Sequence, residues 1–160
     1  TGFTTVELAQ RCGAASRVVA VDPWRAGLDR LGRKLAYHGL RNVELMACGV
    51  EDAVLAAGTV DLVIANLGLN NFERPTEVFA ACRRMLRSDG VLALTTNFSG
   101  HMVEFYDVFR DVLADHALDE AVVALDAHVG HRGTYEQLRA MLEAARFEVV
   151  ERHSASVRFR

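Results

Sequence analysis

Two kinds of apolar patterning alternate along the chain. Short continuous apolar runs are typical of parallel strands, and apolar residues spaced three or four positions apart are typical of amphipathic helices. The runs predict strands at residues 17–22, 42–48, 60–66, 91–97 and 147–160. Helical spacing is found in the opening stretch and at residues 24–40, 75–87, 101–118 and 134–145. Strands that alternate with helices indicate βαβ units, so the pattern predicts an α/β domain with a parallel sheet.

The segments between these elements are shorter and less regular. Residues 51–58 are expected to form a short helix or turn, residues 88–90 a turn, and residues 119–133 a loop or short helix. Pro75 suits the first turn of its helix. Thr134 followed three positions later by Gln137 predicts a capping box. At residues 24–40 the pattern predicts a helix, because it places four apolar residues on one face, namely Leu28, Leu31, Leu35 and Ala36.

Composition limits the classes of function. A chain of 160 residues with 51% hydrophobic and 24% charged residues is expected to fold as one globular domain. A net charge of −3 provides no basic field for a phosphate backbone, so nucleic acid is not an expected partner. The apolar runs are too short for a membrane span.

Cysteine usage indicates a reducing compartment, and we expect a cytoplasmic protein. The three cysteines, Cys12, Cys48 and Cys82, are far apart in sequence, odd in number and form no CxxC pair. They are interpreted as small apolar residues. A thiol nucleophile is the alternative.

Asp22 is the first residue with an evident chemical role. It ends the strand at 17–22, and ligands of doubly wound folds bind outside the carboxyl ends of strands. A carboxylate there can accept hydrogen bonds from both hydroxyls of a ribose. The alternative is structural: Asp22 caps the next helix, with Pro23 at its first position.

Several motifs together resemble one enzyme family. The ordered segments "TGFTTVELAQ", "VVAVDPW", "NVELMACGVEDAVL", "VDLVIANLGLNN" and "VLALTTNF" are similar to those of class I S-adenosylmethionine-dependent methyltransferases. The resemblance covers nearly all of the chain. It implies a Rossmann-like, doubly wound, mostly parallel sheet with helices on both faces. It also implies S-adenosylmethionine as cofactor, a small-molecule acceptor, and one incomplete methyltransferase domain over residues 1–160.

The resemblance also implies roles for individual residues on the cofactor side. Gly2 would approach the methionine part of the cofactor, and Asp22 would hold the ribose. The remaining implied contacts are with the adenine or through the backbone, from Pro23, Trp24, Val50, Glu51, Asn66 and Leu67. The acidic position that usually meets the adenine is Gly49 here, so either Glu51 or the backbone N–H of Val50 would substitute. The structural alternative for Glu51 and Asp52 is a favourable charge at a helix N-terminus.

The acceptor is expected to meet polar residues that follow the later strands, namely Asn71, His101, Tyr106 and His131. Asn70 and Asn71 could instead only shape the loop. His101 with Glu104, and His128 with His131, are spaced i, i+3 and could hold a metal ion, but no motif with defined metal spacing is present, so none is expected. The sequence does not single out a general base.

The glycine motif of the resembled family is only partly present, because Thr1 and Gly2 match its last two positions. We therefore expect the chain to be cut at both ends, with its first strand upstream. The strands at 17–22 and 60–66 should then run parallel with a gap of about 9–10 Å between them, twice the usual strand spacing.

Two other functions fit parts of this pattern. A nicotinamide-dependent oxidoreductase also carries an acidic residue after its second strand, but no Tyr-x-x-x-Lys pair is present, since Tyr106 is followed four positions later by Arg110. A non-catalytic binding module would retain the cofactor fold without its activity. Pairing of two copies into a homodimer is compatible with each function.

Overall fold

The computed structural model describes residues 2–156, which form an α/β arrangement. Its strands are β1 (Val18–Val21), β2 (Val43–Met46), β3 (Val60–Asn66) and β4 (Leu86–Thr95). Its α-helices are α1 (Phe3–Cys12), α2 (Arg25–Tyr37), α3 (Pro75–Met85), α4 (Val103–Asp115), α5 (Asp119–Gly130) and α6 (Tyr135–Ala144). Single 3-10 turns occur at Val50–Asp52 and Leu69–Asn71.

The strands form two parallel pairs. β1 pairs with β2, and β3 pairs with β4. The two pairs are separate two-stranded sheets, so within residues 2–156 β1 and β3 are not hydrogen-bonded to each other. This separation was expected from the sequence. The width of the gap stays a prediction.

The first core lies between α2 and the β1–β2 pair. Leu28, Leu31 and Leu35 form it, packed against Val6, Ala20, Leu40 and Val43. Gly2 borders this core with φ of +76°, and a Cβ built there would lie 2.3 Å from Leu31 Cδ1. A side chain at position 2 is therefore excluded both by backbone conformation and by α2. Ala36, which the sequence pattern places on the same face as these leucines, is exposed at the C-terminal end of α2.

The second core lies on one face of the β3–β4 pair. Phe79 of α3 and Leu138 and Leu142 of α6 pack together there, against partly buried neighbours that include Leu92 and Leu94 of β4. Alternate residues of a strand point to opposite faces. The other face accordingly carries Leu62, Ile64 and Val91, which remain exposed.

The predicted strand at 147–160 is wrong over its described part, since residues 147–156 form no strand. Phe147 instead completes the end of α6: its N–H donates to Leu142 O at 2.9 Å and its ring packs on the second core. Beyond it the chain has no strand neighbour among the described residues, and Val150 is 85% exposed. Apolar alternation alone does not make a strand without a partner to pair with. Residues 157–160 lie outside the described residues.

Two other boundaries differ from expectation. β4 begins at Leu86 rather than at residue 91, but its ladder to β3 is irregular: Val60 pairs with Leu86, and Leu62 with Val91. The predicted turn residues 88–90 are therefore extra residues inside a bulged strand. Most of the segment 119–133 is the helix α5. The capping box predicted at Thr134 and Gln137 is confirmed.

Membrane crossing has no support in the described part of the chain. None of its helices combines the length and the apolar character that a membrane span requires.

Candidate functional site

Asp22 is held in place by the turn that leaves β1. Its N–H donates to Met46 O at 3.1 Å, and its Oδ1 accepts from the backbone N–H of Trp24 at 2.9 Å. This is an Asx turn, closed one residue before α2 begins, so Asp22 is not the N-cap of the helix. No described hydrogen bond or ion pair engages the second carboxylate oxygen. The turn thus fixes the carboxylate at the carboxyl end of β1 and leaves one oxygen open to a ligand.

Trp24 lies against the first turn of α2. A Cβ at Gly27 would come within 2.7 Å of the indole ring, so glycine at position 27 lets the ring sit flat on the helix. The indole is nevertheless 59% exposed, and the preceding Pro23 is exposed as well. An exposed aromatic face two residues from Asp22 is suited to stacking against a planar base.

Glu51 has a structural partner. Its Oε1 accepts from Arg74 Nη2 at 3.1 Å, and Arg74 Nη1 also donates to Glu77 at 2.7 Å. The other Glu51 oxygen would lie 2.7 Å from a Cβ at Gly49, so the carboxylate folds back over that glycine. Val50 begins the adjacent 3-10 turn, in which the first N–H has no partner within the turn. The backbone of Val50 is therefore the better placed of the two expected adenine contacts.

The carboxyl ends of β3 and β4 are joined through Thr95. Its hydroxyl donates to Asn66 Oδ1 at 2.5 Å. The N–H of Leu67 donates to Thr95 O at 3.0 Å and lies 3.1 Å from Thr95 Oγ1. Leu67 has φ of +56°, which is unusual for a branched residue. Because its N–H is already bonded, any contact from the backbone of Leu67 to a cofactor has to use the carbonyl.

The Asn70 side chain forms hydrogen bonds that hold the loop after β3, whereas no described hydrogen bond engages the Asn71 side chain. The Asn70 amide donates to Asn97 O at 3.1 Å, and the backbone carbonyl of Asn70 is 2.7 Å from His131 Nε2. Asn71 is exposed, and its N–H closes the 3-10 turn onto Gly68. The sequence offers no reason to choose between two adjacent asparagines. The expectation that Asn71, and not Asn70, meets the acceptor therefore had no basis in the pattern.

A second polar cluster joins α4, α5 and the segment after α5. The Tyr106 hydroxyl accepts from Arg132 Nη2 at 3.0 Å and lies 3.5 Å from His128 Nε2. Arg132 carries a buried Nη1 with no hydrogen-bond partner among the described residues. His101 is half-buried at the loop after β4, and no described hydrogen bond or ring contact joins its side chain to this cluster. The structure thus links Tyr106, one of the expected acceptor residues, with Arg132.

The structure bears on the metal-site alternative and on one of the three thiols. Within residues 2–156, no group of three or more His, Cys, Asp or Glu side chains is placed to share a metal ion. Cys82 is buried in α3, and burial raises the pKa of its thiol to about 11. That thiol is therefore protonated near neutral pH and is a poor nucleophile.

Comparison with known proteins decides the family. The family described as "Methyltransferase domain" matches residues 1–94, which is more than half of the chain. The chain belongs to this methyltransferase family. It is also 27% identical over 150 residues to an arsenite methyltransferase of Halobacterium salinarum, a match that covers 94% of this chain and 36% of that protein.

Solved structures show the same fold. A SAM-dependent methyltransferase from Aquifex aeolicus aligns with a TM-score of 0.57 and 21% identity, covering 61% of this chain and 52% of the other. The [4+2]-cyclase SpnF aligns with a TM-score of 0.70 and 15% identity, covering 94% and 48%. These likenesses confirm the Rossmann-like α/β class. They do not fix the reaction, since a cyclase shares the fold.

The relatives are longer than this chain. The chain spans about a third of the arsenite methyltransferase and about half of each of the two solved chains. Activity, acceptor and partners are therefore treated below as proposals.

Proposed function

We propose that the chain is the cofactor-binding core of an enzyme that transfers a methyl group from S-adenosylmethionine to a small molecule. The family match over residues 1–94 carries this proposal. Family membership implies S-adenosylmethionine as the cofactor and favours methyl transfer over nicotinamide oxidoreduction, which the acidic residue after a strand would otherwise also fit. The free cysteines support a reducing compartment such as the cytoplasm.

The residues at the end of β1 fit the adenosine part of this cofactor. Asp22 has an open carboxylate oxygen for the ribose hydroxyls, and Trp24 presents an exposed ring for the adenine, with Pro23 beside it. On the other side, the Val50 N–H meets the base, and Glu51 supports that turn through Arg74. The backbone at Gly2, Asn66 and Leu67 completes the proposed contacts.

In methyl transfer the main contributions of the protein are to bind and orient the reactants. S-adenosylmethionine supplies an activated methyl group on a positively charged sulfur. The chain has to hold the acceptor in line with that group and exclude water, and such positioning can supply most of the rate. A general base is required only when the acceptor is protonated at working pH. A site without an evident catalytic dyad is therefore compatible with this activity.

Calorimetric titration of the full-length protein with S-adenosylmethionine, S-adenosylhomocysteine and NADH tests the proposal. We expect the two sulfur compounds to bind and NADH to give no heat of binding. Binding of NADH alone would replace the proposal with oxidoreductase chemistry. No binding of any of the three would leave a scaffold that retains the fold without its cofactor.

The acceptor is proposed to lie against His101, Tyr106 and His131, with Asn71 at the rim. Replacing His131 with alanine breaks its contact to Asn70 and loosens the loop that faces the acceptor. We expect turnover, measured as S-adenosylhomocysteine release, to fall about 10- to 100-fold while cofactor affinity is kept. His153→Ala is the matched control, because His153 is an exposed histidine whose one side-chain hydrogen bond among the described residues is with Glu151. A weaker cofactor affinity with unchanged turnover at saturation would move His131 to the cofactor side.

A further inference from the structure

One guanidinium nitrogen of Arg132 is buried without a hydrogen-bond partner among the described residues. Its Nη2 donates to the Tyr106 hydroxyl, and its guanidinium carbon lies 5.3 Å from the centre of the Tyr106 ring. Its Nη1 is buried and has no partner among the described residues. A buried donor without a partner is unfavourable, and more so when the group is charged. A functional role is one of the explanations for such a group in a native fold, so its surroundings decide whether a ligand could serve as the partner.

The positive charge of Arg132 is also uncompensated. Among the described residues no carboxylate forms an ion pair with it, although Arg110 on the adjacent helix α4 is paired with both Asp107 and Asp126. Those two carboxylates are occupied by Arg110, and they raise the pKa of its guanidinium. The cluster around Tyr106 therefore contains one neutralised arginine and one available arginine.

The residues on either side of Arg132 form hydrogen bonds with the loops that follow two different strands. His131 contacts the backbone carbonyl of Asn70 in the loop that leaves β3. Gly133 accepts from the N–H of Ser99, in the loop that leaves β4, at 3.0 Å. Arg132 is thereby fixed between the loops at the carboxyl ends of two parallel strands, which is where ligands of such sheets bind.

We propose that Arg132 binds a carboxylate of the methyl acceptor, and that Tyr106 positions its guanidinium for this contact. The inference rests on the proposed function, since it names the chemical class of the acceptor. A planar guanidinium matches the two oxygens of a carboxylate. A single arginine suits a singly charged group better than a phosphate dianion, because no second unpaired cation lies in this cluster among residues 2–156. The Tyr106 hydroxyl accepts from Arg132 and keeps its own proton for His128 or for the ligand.

Paired probes test this on the full-length protein saturated with S-adenosylhomocysteine. Benzoate and acetate would be titrated against their neutral counterparts benzamide and acetamide, with binding followed by NMR. We expect at least one carboxylate to bind ten times or more tightly than its amide. Equal binding of acid and amide, or no binding of either acid, overturns the proposal. S-adenosylhomocysteine affinity, measured first, reports separately on the proposed function.

Variants assign the effect to Arg132. Arg132→Gln should abolish the preference for acid over amide, and Arg132→Lys should retain part of it because the charge remains. Arg139→Gln is the matched control, since Arg139 is exposed and, within the described part of the chain, forms its one ion pair with Glu143. Tyr106→Phe keeps the charge but frees the guanidinium, and should weaken carboxylate binding less than Arg132→Gln. A preference that survives in Arg132→Gln, or a loss of S-adenosylhomocysteine affinity in that variant, contradicts a role toward the acceptor.

Discussion

Replacing Asp22 with alanine in the full-length protein is expected to weaken S-adenosylmethionine binding about 10- to 150-fold. The estimate corresponds to about 1.5–3 kcal/mol for a lost hydrogen bond to a charged group. Asp22 closes β1 with one carboxylate oxygen engaged by Trp24 and the other open. Calorimetry gives the affinity, and circular dichroism shows whether the fold is kept.

Asp22→Asn separates the ligand role from the structural one. An asparagine oxygen can still accept from the Trp24 N–H, so the turn before α2 survives. The amide cannot replace a carboxylate that accepts from two ribose hydroxyls. We expect Asp22→Asn to lose most of the affinity that Asp22→Ala loses. Wild-type affinity in Asp22→Asn would show that Asp22 serves the turn alone. Asp29→Ala, an exposed aspartate on α2, is the control for charge.

The other large effect concerns the divided sheet. Residues 1–160 expressed alone are expected to aggregate or fold poorly and to leave S-adenosylmethionine unbound. β1 and β3 belong to separate strand pairs, so each presents an unpaired edge among the described residues. The face of β3–β4 that carries Leu62, Ile64 and Val91 is also exposed. Exposed apolar strands invite pairing with other chains.

A longer chain is the comparison. The relatives are longer than this chain, and a version of the protein with a further strand at the edges of β1 and β3 provides that comparison. Placed between β1 and β3, such a strand should restore both solubility and cofactor binding. Size-exclusion chromatography and thermal unfolding report on solubility and folding, and calorimetry measures cofactor binding. A monodisperse, cooperatively unfolding 160-residue chain that binds the cofactor unaided would contradict this reading of the divided sheet.

The sequence predicts well those elements whose signals are local. Residues 60–66 form a near-continuous apolar run, and β3 has the same bounds. The helix at Tyr135–Ala144 begins where its capping box predicts, because Thr134 and Gln137 bond only within that turn. Asp22 could be located for the same reason, since a carboxylate at the end of a strand is visible in the sequence.

Features that depend on distant neighbours could not be predicted. Residues 147–156 alternate like a strand, but whether they pair depends on what lies beside them. The partner of Glu51 is Arg74, 23 residues away. Arg132 can be recognised as a candidate only from the structure. Tyr106, 26 residues earlier, accepts a hydrogen bond from Nη2, and Nη1 is buried without a partner. The spacing of residues in the sequence does not show which side-chain nitrogen will be buried without a hydrogen-bond partner.

A crystal structure of the full-length protein with S-adenosylhomocysteine tests the central claim most directly. The account predicts both ribose hydroxyls within hydrogen-bond distance of the Asp22 carboxylate, with the adenine against Trp24 at the carboxyl end of β1. A nucleoside bound elsewhere, with Asp22 still engaged only by the Trp24 N–H, would contradict it.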